Sequence, residues 1–321
     1  MKPARNVRST STGYPGPPSM EEISSRDNRW LRRFRATLAG REDPDGLIGV
    51  EGPHLVDAAL GAQVRVEAIL VSTSGGRHIA TLRPLLAPET RILRTSDRLF
   101  ATVAATEAPQ GIAALVRPRS WTFDDLARCV APLIVVLAGV QDPGNVGAII
   151  RAAEGLGASG VATCAAEGIG TANPIAPKAL RASAGSALRL PLLPGVQSAA
   201  LLLQLRMADI KIYAACAAEP NFRETSRKFI PKDDIDSPDD IRPNENLPPV
   251  RRPWEVQWQG PSSLWIGNEG AGLPQDILRS ADARVTIPQA ATRPDALESL
   301  NAASAASILL YEAARQRSNL A

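Results

Sequence analysis

Residues 133–151 read LIVVLAGVQDPGNVGAIIR. The first eight are apolar without alternation, the pattern of a strand buried on both faces of a parallel sheet. The next five, QDPGN, interrupt it. Pro143-Gly144 makes a turn, Asn145 suits the N-cap of a helix, and residues 146–157 carry apolar positions at helical spacing. A strand that turns at once into a helix is half of a βα unit. The alternation recurs: a strand near 160–164, helix 174–186, strand 188–193, helix 196–208, strand 211–217, strand 263–267, helix 274–280, strand 284–288 and a final helix 299–317. Repeated βα units predict an α/β domain whose parallel sheet is covered on both faces.

One stretch breaks that pattern. Residues 218–253 hold seven prolines and fifteen charged residues of both signs. No packed element suits such a composition, so the stretch reads as a disordered insertion. Upstream lies a smaller α/β unit, with strands at 47–50, 66–71, 91–94 and 112–116 and helices at 53–60, 78–86 and 97–105. Pro118 and Pro132 bracket a connecting segment. The expected layout is a disordered tail over 1–20, a basic helix and small α/β domain over 21–118, a linker over 119–132, and the parallel-sheet domain over 133–321. In the helix expected at 21–39, Arg26, Arg29, Arg32, Arg33 and Arg35 surround Trp30, Leu31, Phe34 and Leu38. Such a face is either solvated or turned to phosphate.

A chain of 321 residues that is 44% hydrophobic has room for two cored domains. Its net charge of +3 is too mild to point to nucleic acid by itself. No apolar run nears the ~20 residues of a membrane span, and the first twenty lack the apolar core of a signal peptide. Cys129, Cys164 and Cys216 are odd in number, far apart and set among apolar residues, which reads as buried free thiols in a reducing cytoplasm. No Cys/His spacing fits zinc, and His54 and His78 lie on unrelated segments, so no metal is expected.

Three segments carry chemistry, each just past a strand, where open α/β sheets keep their ligands. They are Asn145 to Arg151 (NVGAIIR), Ile266 to Gly272 (IGNEGAG), and Ile287-Pro288 followed by Ser299-Leu300-Asn301. Backbone N–H groups beyond Asn145 favour an anion, and Arg151 leans back over Gly147 and Ala148, which leave room for its stem. Gly267, Gly270 and Gly272 around Glu269 let the backbone approach a ligand closely. That turn matches neither a phosphate loop nor a dinucleotide fingerprint, which counts against a small-molecule enzyme with a Rossmann-type cofactor. Ser299 is a plausible N-cap, and the small residues 302–307 suit a closely packed helix. Taken singly, each segment also reads plainly: an ordinary cap with a surface arginine, a glycine turn, a core helix.

Taken in order, the three segments resemble the signature motifs of the SpoU/TrmH family of RNA 2′-O-ribose methyltransferases, in the SPOUT class. The resemblance covers 133–317 apart from the insertion and includes PKALRASAG at 177–185; residues 47–118 resemble the family's L30e-like substrate-binding domain. It implies a deep trefoil knot, with the chain after strand 284–288 threading a loop. It implies S-adenosylmethionine as cofactor, held mainly by main chain at Gly267, Ile287 and Leu300. It implies a homodimer and an RNA substrate; the separate N-terminal domain suits 23S ribosomal RNA better than tRNA. Asn145, Arg151, Glu269, Ser299 and Asn301 match the catalytic and substrate-organising positions, with Arg151 as a clamp on phosphate, Glu269 orienting Arg151 or Asn145 or relaying the proton, and Ser299 and Asn301 positioning the cofactor-side loops. Ala152, Ala303 and the extra Arg293-Pro-Asp-Ala-Leu stretch depart from the family's pattern. The rival readings are a tRNA 2′-O-methyltransferase and a non-catalytic RNA-binding paralogue; the intact Asn145, Arg151, Glu269 and Asn301 speak against the latter.

Overall fold

The computed structural model describes residues 20–217, 247–289 and 300–318. The chain divides into two compact units, one of the chain up to Leu60 with Arg65–Arg117, the other of Gly61–Val64 with the chain from Pro118 on.

The first unit holds β1 (Met20–Glu22), α1 (Arg29–Leu38), β2 (Ile48–Glu51), α2 (Pro53–Gly61), β3 (Arg65–Ser72), α3 (Gly76–Leu82), β4 (Arg91–Thr95), α4 (Asp97–Ala101) and β5 (Ile112–Arg117). Its sheet runs β1-β4-β3-β5-β2, parallel from β1 to β3 and antiparallel beyond. Residues 20–22 form an edge strand, against the expectation of a tail followed directly by helix. The helix starts only at Arg29, because Asn28 caps it by accepting the Trp30 N–H at 2.8 Å.

The arginines of α1 do not form one free face. Arg33 pairs with Asp43 and Asp45, and Arg35 donates to the Thr102 carbonyl at 3.0 Å; Arg26, Arg29 and Arg32 remain exposed. The Asp43 side chain is 1% exposed, and its hydrogen bond from Arg33 holds its carboxyl below the usual carboxylate range. Arg33→Met is therefore expected to cost about 3 kcal/mol in urea unfolding at pH 7, since it strands a buried carboxylate. A group with a depressed folded pKa stabilises above its unfolded value and loses that contribution as pH falls through the folded one. The gap between variant and wild type should accordingly close below pH 3.8, the ordinary value for the group.

The second unit holds α5 (Phe123–Leu126), β6 (Leu133–Ala138), α6 (Pro143–Gly155), β7 (Gly160–Cys164), α7 (Pro177–Ala182), α8 (Ser186–Arg189), β8 (Leu192–Val196), α9 (Ser198–Met207), β9 (Lys211–Ala215), β10 (Val250–Arg251), β11 (Ser262–Ile266), α10 (Gln275–Ser280), β12 (Ala283–Val285) and α11 (Ala302–Ser318). Its sheet is parallel throughout, in the order β10-β12-β9-β11-β6-β7-β8. All six residues of β6 are buried, as the unbroken apolar run requires. Trp265 of β11 packs on the same core as Ile134 and Val136.

Several expected boundaries move. The segment read as a linker, 119–132, contains α5, whose Leu126 is fully buried in the sheet's core. The insertion expected over 218–253 loses its last part: Val250–Arg251 is a strand paired with β12, because the edge of β12 offers it a ladder. Residues 218–246 of that insertion and residues 1–19 of the expected tail lie outside the described residues. Cys129 is exposed rather than buried; Cys164 is buried and Cys216 half-buried.

Two features of the second unit position its site. β11 lies between β9 and β6, β12 lies beyond β9, and α11 nevertheless packs back on α6. Residues 290–299, between β12 and α11, lie outside the described residues. Gly147 lies where α6 meets α7. A Cβ there would stand 2.4 Å from the Ala179 carbonyl oxygen, so the glycine serves helix contact rather than leaving space for the Arg151 stem.

Candidate active site

The C-terminal ends of β6 and β11 lie side by side, with Leu137 opposite Ile266. From β6 the chain turns through Gly139, whose φ of +74° suits glycine, into α6. Pro143 takes the first helical position, for which its fixed φ suits it, and Asp142 is the N-cap. The Asp142 carboxylate accepts the N–H groups of Gly144 and Asn145, and Lys178 stands 3.2 Å from it. These contacts, the Gly144 N–H foremost and Lys178 next, hold Asp142 below the usual carboxylate range. Two corrections follow. Asn145 is not the cap but the third residue of the helix, and the helix mouth expected to attract an anion already has one in Asp142.

With its backbone inside the helix, Asn145 has its side chain free for other work. Its Nδ2 donates to Glu269 Oε1 at 3.0 Å, and its Oδ1 accepts from Asn301 Nδ2 at 3.1 Å. Glu269 also accepts the backbone N–H groups of Gln141 at 3.3 Å and Asp142 at 3.5 Å. Partial burial pushes the Glu269 carboxyl up, but the hydrogen bonds from Asn145 and the backbone outweigh it, and the group titrates below the ordinary glutamate value. Glu269 is thus an anion that can only accept, which fixes which end of the Asn145 amide faces it. Asn301 caps α11: its Oδ1 accepts the N–H of Ala303 at 2.9 Å and of Ser304 at 3.3 Å. That is the role the sequence offered to Ser299, which lies outside the described residues.

Arg151 stands apart. It is exposed, and among the described residues it has no hydrogen-bond or ion-pair partner. Of the five expected catalytic positions, the structure joins Asn145, Glu269 and Asn301 and leaves Arg151 outside their network. Of the two partners foreseen for Glu269, Asn145 is the one it holds.

Beside this cluster is a hollow of ≈ 640 Å³ whose lining includes Gly267, Ile287 and Leu300, the three residues expected to hold a cofactor. Glu269 and Asn301 line it too. Gly267, Gly270 and Gly272 line it as well and offer only main chain. The turn after β11 folds back so tightly that a Cβ on Gly267 would stand 2.3 Å from the Gly272 carbonyl carbon. Asn268 fastens the turn: its Nδ2 donates to the Gly139 carbonyl, and its Oδ1 accepts the N–H groups of Gly270 and Ala271, all at 2.9 Å. Thr171 bridges the neighbouring strand ends, donating to the carbonyls of Leu137 or Cys164 and accepting the Gly139 N–H. Neither was singled out from the sequence. Asn268 was readable as the asparagine of an Asx turn among glycines; Thr171 had no local signal. Among the described residues no group of acidic, Cys and His side chains could hold a metal.

Comparison with known proteins places these features in context. The model of the SpoU rRNA Methylase family matches residues 132–311, and that of the MRM3-like substrate binding domain matches residues 36–114. An uncharacterized tRNA/rRNA methyltransferase of Synechocystis sp. is 28% identical over 313 residues, spanning 95% of this chain and 97% of its own. The 23S rRNA (guanosine(2553)-2′-O)-methyltransferase RlmP of Bacillus subtilis is 26% identical over 297 residues, 91% of this chain and 98% of its own. The crystal structure of an AdoMet-bound rRNA methyltransferase from Sinorhizobium meliloti superposes with a TM-score of 0.70 at 25% identity, covering 92% of this chain and 98% of that one.

Proposed function

Because the chain belongs to the SpoU rRNA methylase family, we propose that it transfers a methyl group from S-adenosylmethionine to a ribose 2′-hydroxyl of ribosomal RNA, with Asn145, Glu269, Asn301 and Arg151 organising the reaction. The observation that carries the assignment of residues is the Glu269–Asn145–Asn301 network beside the hollow that Glu269 and Asn301 line.

The hollow suits the cofactor. Its volume lies in the range of sites for ligands of that size, and a lining with three glycines, Ile287 and Leu300 offers backbone donors and acceptors and apolar contact without a positive charge that would repel a sulfonium. When bound there, S-adenosylmethionine supplies a methyl group activated by positively charged sulfur. The rest falls to the protein.

An asparagine amide has two N–H donors and an oxygen with two lone pairs. Asn145 spends one N–H on Glu269 and one lone pair on Asn301, so one donor and one acceptor remain for a ribose hydroxyl. Glu269, ionised and accepting, stiffens that amide and draws charge toward it. Arg151 is read as a forked clamp on the adjoining phosphate, since its planar guanidinium matches a phosphate with two parallel hydrogen bonds. A solvated, unengaged guanidinium two turns along the same helix is what such a clamp needs before substrate arrives. In the N-terminal unit the exposed Arg26, Arg29 and Arg32 offer further phosphate contacts.

A homodimer belongs to the same reading. Ile308 and Tyr311 on α11 are 42% and 61% exposed on one helix face, beside Ser304, and suit a partner surface. Among the described residues no helix is long and apolar enough to cross a membrane.

The test is incorporation of labelled methyl from S-adenosylmethionine into ribosomal RNA purified from cells lacking the gene, with ribose-methylation mapping of the product. Label at a single ribose is expected. Arg151→Lys should lower kcat/KM for RNA roughly 10²-fold, since a point charge lacks the bidentate fork. No label, or an Arg151→Lys enzyme as active as wild type, would refute the corresponding part.

A further inference from the structure

Two hollows in the second unit lie outside the network just described. The larger, ≈ 780 Å³, opens at the C-terminal ends of β7 and β8 and is lined by Thr163, Glu167, Thr171, Ile175, Pro194 and Val196 among others. The smaller, ≈ 270 Å³, is lined by Pro118, Arg119, Trp121, Ile175 and Pro194. Ile175 and Pro194 line both, so the two hollows adjoin and are taken together as one groove.

Hydrogen bonds tie the groove's wall to the segments of the reaction site. Thr171 in its wall accepts the Gly139 N–H at 2.9 Å, and the Gly139 carbonyl accepts Asn268 Nδ2 at 2.9 Å. Asn268 is the neighbour of Glu269 in the chain. Ala172 beyond Thr171 donates its N–H to the Val140 carbonyl at 2.8 Å, a few residues before Asn145. At the far end the Arg119 guanidinium stacks 5.5 Å over the Trp121 ring. Trp121 is half-buried and Arg119 exposed.

We propose that this groove holds the single-stranded RNA next to the methylated nucleotide, one base stacked in the Trp121–Arg119 end and a second seated in the hollow at β7 and β8. This rests on the reading of the chain as an RNA methyltransferase and adds to it where the flanking nucleotides go. An indole and a guanidinium over a small apolar hollow stack bases without regard to sequence and attract the chain they belong to. The larger hollow suits a base rather than a phosphate. None of the described residues lining it is cationic, Glu167 is an acid, and burial pushes the Cys164 thiol up to about 11, so that end stays neutral or negative. The Glu167 carboxylate and the threonine and glutamine groups of the rim match the amino and imino edges of bases. A duplex would keep its bases stacked inside and could not fill either hollow, so the target nucleotide must lie in a loop or bulge.

The test uses the full chain and a single-stranded RNA decamer of mixed sequence carrying 4-thiouridine. Ala165→Glu puts a carboxylate into the larger hollow from an exposed position, which spares the fold. Trp121→Ala removes the stacking ring and Trp121→Phe keeps an aromatic face. Fluorescence anisotropy should show decamer binding about tenfold weaker for Trp121→Ala and for Ala165→Glu, restored by Trp121→Phe, with S-adenosylmethionine affinity unchanged by calorimetry. Cross-links should map to 118–121, 163–175 or 194–199. Cross-links confined to other segments, or both weakening variants within twofold of wild type, would overturn the groove whether or not methyl transfer is observed. Failure of wild type to label any RNA while these binding results hold would overturn the reaction and leave the groove standing.

Discussion

Asn145→Ala is expected to lower kcat by about 10²–10³-fold while leaving S-adenosylmethionine affinity and the melting temperature almost unchanged. The size follows from what one preorganised polar group contributes when it is aimed at the reacting centre. Alanine removes both hydrogen bonds at once, the one to Glu269 and the one from Asn301. It also removes the spare donor and acceptor left for the ribose. The fold should barely notice. Asn145 lies inside α6, where alanine is the better helix former, and both its partners are exposed and can turn to water. Asn301→Ala should act more mildly on kcat, because it touches substrate only through Asn145, but should cost more stability because Asn301 caps α11. Single-turnover methylation and thermal melting of the two variants separate these outcomes. If Asn145→Ala reduced stability and rate together, or raised KM for RNA with kcat intact, the side chain would be part of the scaffold or of RNA binding instead.

That network shows what sequence can and cannot say here. The sheet was legible because β6 is an unbroken apolar run and each βα unit announces its own turn. The three site segments were legible because Asn, Glu, Gly and Ser at strand ends have few structural reasons to be there. What failed was of two kinds, details of capping and packing and contacts between distant segments. Asn145 looks like a cap until Pro143 is seen to start the helix two residues earlier with Asp142 in front of it. Gly147 looks like clearance for an arginine until α7 is found against it. The pairing of Val250–Arg251 with β12 depends on an edge created by residues more than thirty positions later, and no window of local composition could reveal it. Thr171 acts through three backbone groups of two strands, which become neighbours only in the folded sheet.

The glycines of the turn after β11 should behave in opposite ways when each is changed to alanine, although they look alike in sequence. Gly267 has no room: a Cβ would meet the Gly272 carbonyl carbon at 2.3 Å, its oxygen at 2.4 Å and the Leu273 nitrogen at 2.5 Å. All three are backbone, so the turn cannot yield without pulling Asn268 off Gly139 and shifting Glu269. Gly267→Ala is therefore expected to weaken S-adenosylmethionine binding at least 100-fold and to destabilise the second unit by about 3 kcal/mol, the scale of a buried overpacking. Gly272 has open space but a φ of +73°, so Gly272→Ala meets only backbone strain, costing about 1 kcal/mol with a modest loss of affinity. Gly270 has neither constraint, since its nearest neighbour would be Asn268 Oδ1 at 3.6 Å. Gly270→Ala should match wild type in both respects. Calorimetric titration with S-adenosylmethionine and urea unfolding of the three proteins read the order directly. A Gly267→Ala protein that bound the cofactor normally would mean that the hollow behind this turn is not where the cofactor sits. A Gly270→Ala protein that lost binding would place a ligand atom against that residue, in space that the protein's own atoms leave open.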